Sequence, residues 1–203
     1  MLSGDRITDV KAGRVDAVVI GASAGGVEAL GVLLPALPAT TTLPFVIVLH
    51  MPPREPSAVV GVFSTRCAIA VREASDKEDV AGGVVWFAPP DYHLMIESAR
   101  TFALSIEAPV NYSRPSIDVL FESAARVYGR SLLAIVLTGA SADGAEGAAA
   151  VCEAGGVLVV QDPATAEMPF MPSSTMARVR PHGLGNLQEI AALLRTSAVS
   201  RPR

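Results

Sequence analysis

Residues 16–34, DAVVIGASAGGVEALGVLL, carry three structural signals in succession. The apolar, β-branched run over 15–20 has the length and composition of a buried strand. Gly21-Ala22-Ser23-Ala24-Gly25 is a turn of small residues, and an amphipathic helix is expected from about Gly26. The turn satisfies the G-x-S-x-G spacing of a nucleophile elbow, where a side chain on a sharp strand-to-helix turn needs neighbours that accept unusual backbone angles. The helix that follows aims its free N–H groups and positive dipole end at Ser23, where an oxyanion can be stabilised.

Other readings of the same residues stand beside this one. Ser23 can simply cap the helix. The glycines can cradle a phosphate or a dinucleotide, as Gly-rich turns between strand and helix do. Residues 17–37 are apolar enough to resemble a membrane span. They nevertheless contain Glu28, four glycines and Pro35, and they divide into strand, turn and helix. No membrane insertion is expected.

The 203 residues suffice for one α/β domain with a large core. Half of them are hydrophobic, which suits a parallel sheet buried on both faces. Sixteen Lys and Arg against twenty Asp and Glu give a net charge of −4, with no basic block to suggest nucleic acid. Two cysteines, Cys67 and Cys152, are too few for a disulfide framework or a zinc site, so a reduced, cytoplasmic setting is expected. The first 14 residues lack an apolar signal-peptide core. The expectation is a single domain over 1–203 with its core at 15–194 and flexible ends at 1–14 and 197–203.

Downstream, residues 45–49 (FVIVL) form a second buried strand that ends in His50, and Met51-Pro52-Pro53 stops it. Ser57 is placed to cap a helix running to about Cys67, and 68–72 is a short strand. Residues 84–88, 92–97 and 101–106 read as three strands with short connections, hence an antiparallel meander. Pro115 and Ser116 open a helix with Ile117, Leu120, Phe121, Ala124, Ala125 and Tyr128 on one face. Residues 132–137 (LLAIVL) are a third apolar strand, followed by Thr138-Gly139-Ala140-Ser141-Ala142-Asp143-Gly144 and a small-residue helix over 145–154. A strand at 157–160, a Pro- and Met-rich loop at 164–174 and a last helix from near Asn186, with Glu189 completing a capping box, finish the chain. The fold class is therefore α/β: a doubly wound, mostly parallel sheet with helices on both faces and an inserted antiparallel meander.

In such a sheet all strand ends that carry a site share one edge. Ser23 follows the first strong strand, His50 the second and Asp143 the third. Serine chemistry needs these three groups: a hydroxyl, an imidazole to take its proton and a carboxylate to orient the imidazole. Each has a plainer reading. His50 can be a packing residue with His93 a rival base, His182 looks merely exposed, and Asp143 can be a helix N-cap with Asp91, Asp118 and Asp162 as competing carboxylates. A dinucleotide site wants an acid after the second strand, where His50 stands. The glycine spacing misses G-x-G-x-x-G, and no Gly-Lys-Ser/Thr follows for a P-loop.

Six motifs in one order resemble the catalytic domain of the chemotaxis receptor methylesterases (CheB): Gly-Ala-Ser-Ala-Gly-Gly at 21–26, Leu-His-Met-Pro-Pro at 49–53, Ala-Pro-Pro-Asp-Tyr-His at 88–93, Arg-Pro-Ser-Ile-Asp at 114–118, Leu-Thr-Gly at 137–139 with Asp-Gly-Ala at 143–145, and Gln-Asp-Pro at 161–163 with Met-Pro at 171–172. The resemblance implies a cofactor-free and metal-free Ser-His-Asp hydrolase that removes methyl esters from glutamates on receptor signalling helices and, in some relatives, deamidates glutamines. By motif position Ser23 is the nucleophile, His50 the base and Asp143 the orienting acid. Backbone N–H groups at Ala24 and Ala140 are oxyanion candidates, and Arg114 is a candidate either for docking an acidic helix or for a structural salt bridge. Many relatives carry Thr where Ala24 stands, and the enteric form has Met at the place of Ala140. The family's usual receiver domain has no room in the 14 residues before the first strand, so the expectation is a stand-alone esterase or a piece of a longer chain, regulated if at all by a separate protein. The alternatives carried forward are a catalytically silent receptor-helix-binding module of this fold and a Rossmann-like nucleotide-binding domain.

Overall fold

The computed structural model describes residue 2, residues 5–51 and residues 58–197. Seven strands form one sheet in which every pairing is parallel. In chain order they are β1 (Ala17–Ala22), β2 (Phe45–Leu49), β3 (Ala70–Glu73), β4 (Val84–Phe87), β7 (Leu132–Val136), β8 (Val157–Gln161) and β9 (Gly183–Gly185). A separate antiparallel hairpin is made by β5 (His93–Ile96) and β6 (Phe102–Ser105). The sheet order is β3-β4-β2-β1-β7-β8-β9. From β1 the chain winds outward through β2 to the β3 edge, then returns to β7 and winds out the other way. The strand order reverses around β1, and α/β sheets place their ligand crevices beyond the strand ends at such a switch.

The continuous apolar runs predicted as buried strands have helices on both faces, as parallel strands require. One core cluster gathers Val18, Ile20, Phe45, Ile47, Leu133 and Ile135 under α1 (Asp5–Lys11), α2 (Gly26–Leu33), α3 (Ala58–Ser64) and α7 (Leu187–Ser197). The other gathers Val19, Val46, Val48, Ala134 and Val136 under α4 (Ile117–Tyr128), α5 (Ala145–Glu153), Met171 of α6 (Phe170–Arg178) and the hairpin. Alternation along a strand assigns each residue to one cluster or the other.

The structure corrects several expectations. The meander has two strands, because β4 pairs in parallel with β2 and β3 inside the main sheet. The N-terminal segment contains α1, which buries Ile7 and Val10, and is not simply a flexible end. At the other end Ser197 is buried in α7, while 198–203 lie outside the described residues. Half of the 164–174 loop is the start of α6, and β9 went unread because three residues with two glycines carry no strand signal. The cap expected at Ser57 also lies outside the described residues. Asn186 and Glu189 do form the reciprocal capping pair, at 2.9 and 3.0 Å.

Candidate active site

Ser23 and His50 lie one residue beyond the register pair Ala22 and Leu49, on adjoining strands. The ladder continues past the strands: His50 N–H donates to Ala22 O at 3.0 Å, and Ser23 N–H to Thr138 O at 3.0 Å. Alternation places 23 and 50 on the face covered by α4, since Val19 and Val48 already point there. Small residues make the turn possible. Gly25, before α2, has φ 75°, a left-handed value that glycine adopts without strain. A Cβ on Gly21 would lie 2.4 Å from Ile117 Cγ2, so the glycine lets the first turn of α4 rest on β1.

That close approach decides what Asp143 meets. Asp143 does not cap its own helix: Gly144, in the left-handed region, precedes α5 instead. The Asp143 carboxylate turns to the N-terminus of α4, where Oδ2 accepts from Ile117 N–H at 2.6 Å and Oδ1 from Asp118 N–H at 3.2 Å. Ser116 Oγ donates to Oδ1 at 2.8 Å, and Asn111 Nδ2 donates to it at 3.2 Å. The remaining partner is His50, whose Nε2 lies 2.8 Å from Oδ2. Because a carboxylate accepts only, Nε2 carries the proton in the neutral ring and Nδ1 is its acceptor nitrogen, with no hydrogen bond among the described residues.

Asp143 is fully buried. Burial pushes its carboxyl up, but the hydrogen bonds from His50, Ile117 N–H and Ser116 outweigh this and hold it below the ordinary carboxylate range. The dipole end of α4 favours the same anionic form. Asp118 responds in the opposite way. Burial and the neighbouring Asp143 charge raise it to about 6, against the opposing hydrogen bond from Gly147 N–H.

A second network fixes the turns around Ser23. Thr138 Oγ1 donates to Ala24 O at 2.9 Å and accepts from Met168 N–H at 2.9 Å, while Gln161 Oε1 accepts from Thr138 N–H. Gly139 N–H is taken by Met168 O. A Cβ on Gly139 would come within 2.9 Å of Ser23 Cβ, so the 138–140 turn lies directly against Ser23. Ala24 and Ala140 are exposed, and among the described residues their N–H groups are not drawn into these turn hydrogen bonds. Ser23 Oγ likewise has no hydrogen bond among the described residues. The structure thus joins His50 to Asp143 directly and sets Ser23 beside His50 by register alone.

The remaining candidates fall elsewhere. Arg114, with acidic-helix docking and a structural salt bridge as its two readings, makes the salt bridge: Nη2 and Nε donate to Asp91 Oδ1 at 2.7 and 3.0 Å, and Nη1 to the carbonyls of Ile106 and Glu107. The rival base His93 is buried with both ring nitrogens occupied, by Ser116 N–H and by Ala108 O. His182 is half-buried and accepts from Leu158 N–H. Asp162 caps a short turn through Ala164 N–H. Cys67 and Cys152 are free thiols pushed up by burial, Cys152 to about 11. A depression of about 250 Å³ opens beside His50, lined also by Met51, Asp91, Tyr112 and Arg114. Among the described residues no helix is long and apolar enough to cross a membrane.

Sequence reasoning missed Asn111, Ser116, Thr138 and Gln161 as parts of this site. The last three stand inside motifs already singled out, whereas Asn111 carries no signal beyond its place before Arg-Pro-Ser-Ile-Asp.

Comparison with known proteins identifies the family. A protein of Leptospira interrogans, provisionally named protein-glutamate methylesterase/protein-glutamine glutaminase, is 46% identical over 178 residues, covering 88% of this chain and 92% of the relative. A protein-glutamate methylesterase/protein-glutamine glutaminase of Trichodesmium erythraeum is 39% identical over 78% of this chain, which spans 46% of that relative's length. The crystal structure of the Thermotoga maritima CheB methylesterase catalytic domain superposes with a TM-score of 0.85 at 32% identity, covering 89% of this chain and 97% of that one. The CheB methylesterase family model matches residues 18–194, and the chain belongs to that family.

Proposed function

We propose that this protein hydrolyses glutamate γ-methyl esters on chemotaxis-type receptors through an acyl-enzyme on Ser23. The observation that carries the reading is the His50–Asp143 pair, 2.8 Å apart at the sheet edge and one strand over from Ser23. His50 Nδ1 takes the Ser23 proton, Ser23 Oγ attacks the ester carbonyl, and the imidazolium passes the proton to departing methanol. Asp143 fixes the tautomer and stabilises the imidazolium. Water then attacks the acyl-enzyme by the same route and releases glutamate. N–H groups of Ala24 and Ala140 are the candidate oxyanion donors, worth about 3 kcal/mol each.

A glutamine side chain would follow the same path with ammonia leaving, which matches the second activity in the relatives' names. Partners are methylated receptor helices and, where activity is regulated in trans, a separate regulatory protein. Methanol release from methylated receptor tests the reading. The wild-type protein should release it, and Ser23→Ala should release none while keeping its circular dichroism and Tm. Turnover retained in Ser23→Ala removes the nucleophile assignment. No turnover by the wild type favours the silent binding module.

A further inference from the structure

The side chain of Asn111 lies between two carboxylates. Its Nδ2 donates to Asp118 Oδ2 at 2.7 Å and to Asp143 Oδ1 at 3.2 Å. Both partners are acceptors, so the nitrogen and not the oxygen of the amide must face them. Asp118 is anchored on its other side, where Oδ1 accepts from Gly147 N–H at 2.7 Å. Two buried carboxylates sharing one site repel each other unless a donor is placed between them.

The backbone that presents this amide is unusual. Asn111 and Tyr112 both have positive φ, 49° and 61°, in a tight turn closed by reciprocal hydrogen bonds between Val110 and Ser113. Asparagine tolerates that conformation, but tyrosine seldom adopts it. The Tyr112 side chain is fully exposed, so burial of its ring does not hold the turn. Arg114 does tie down the neighbouring chain, through Asp91 and the carbonyls of Ile106 and Glu107. Strained backbone of this kind persists where the surroundings over-determine it, often beside functional groups.

We propose that Asn111 is a positioning residue: by donating to Asp118 and Asp143 together, it offsets their repulsion and fixes the Asp143 orientation that presents Oδ2 to His50 Nε2. The kinetic side of this rests on the esterase reading, whereas the electrostatic side does not. Asp118 is faced by Gly147 N–H from α5 and Gly144 N–H just before it, by Asn111 from the turn and by Asp143, with His50 behind Asp143. Glu146 of α5 is paired with Arg178 at the surface. Without the amide, Asp118 loses a donor and keeps the repulsion, so it takes up a proton at higher pH. The resulting O–H turns on the Asp143 carboxylate and weakens the acceptor that holds His50.

Asn111→Gly tests this, because glycine keeps the left-handed turn and deletes the amide alone. Carboxyl NMR should show Asp118 titrating about one pH unit higher than in the wild type. Methanol release should show kcat lowered about tenfold near neutral pH, KM within about twofold, and the acidic limb moved to higher pH. Asn111→Asp, which also suits the turn but replaces the donor with a third carboxylate, should lose more kcat than Asn111→Gly. An unshifted Asp118 titration in Asn111→Gly overturns the proposal, as does a lower kcat with an unmoved pH profile, or Asn111→Asp with wild-type activity. Absence of methanol release from the wild type would instead refute the esterase reading, and the Asp118 titration then decides the role of Asn111 by itself.

Discussion

Asp143 and Asp118 are adjacent carboxylates whose surroundings push them in opposite directions. Asp143 is held low, so its contribution to stability is present above the ordinary carboxylate range and is lost as pH falls through its folded value. Asp118 is raised to about 6, so between its ordinary value and that figure the folded state binds more protons than the unfolded one. Its ionisation therefore opposes folding, and lowering pH from 7 towards 5 adds stability from this group. Urea unfolding over that range should show the gain in the wild type and a flattened dependence in Asp118→Asn. Asp143→Asn should be more damaging, since an amide cannot accept from His50, Ile117, Asp118, Ser116 and Asn111 together. We expect kcat to fall by about three to four orders of magnitude, with a lower Tm. Ser23, His50 and Asp143 stood out in the sequence because each follows a strong apolar strand. Asn111 and Ser116 did not, because the Asp143 carboxylate they donate to is 32 and 27 residues away and only the fold brings them to it.

At the level of elements, the site depends on how closely α4 approaches β1 and α5. A Cβ on Gly147 would lie 2.7 Å from Phe121 Cβ and 2.9 and 3.0 Å from the Asp118 backbone. Backbone cannot swing aside as a flexible side chain can, so Gly147→Ala should force the two helices apart. The expected loss is about 1–3 kcal/mol, or a Tm lower by roughly 3–10 °C, measured by thermal unfolding. The displaced α4 terminus should lower kcat as well. Periodicity made α4 legible, with Ile117, Leu120, Phe121, Ala124 and Tyr128 all buried. The same reasoning misassigned β4. Short connections do exclude helices, but the stretch from Ala88 to Tyr92 leads out of the parallel sheet into a hairpin and does not fold back on β4. Sequence spacing does not distinguish those two routes.

For the whole molecule, the alternation of apolar strands with helices was enough to read a doubly wound sheet, and the all-parallel order β3-β4-β2-β1-β7-β8-β9 agrees. The position of the site follows from that order, because β2, β1 and β7 are the central strands at the switch: Ser23 and His50 directly follow β1 and β2, and Asp143 stands in the connection from β7 to α5. The α1 helix was not legible, since its seven residues contain two that reach the core, Ile7 and Val10. Its docking is a tertiary event. The proposed hydrolysis requires Ser23 to be the group that attacks. Mass spectrometry after treatment with a serine-directed organophosphonate tests this most directly. A single adduct on the peptide carrying Ser23, absent from Ser23→Ala and slowed in His50→Ala, is the result predicted here. An adduct on another residue, or equal labelling of Ser23→Ala, would contradict it.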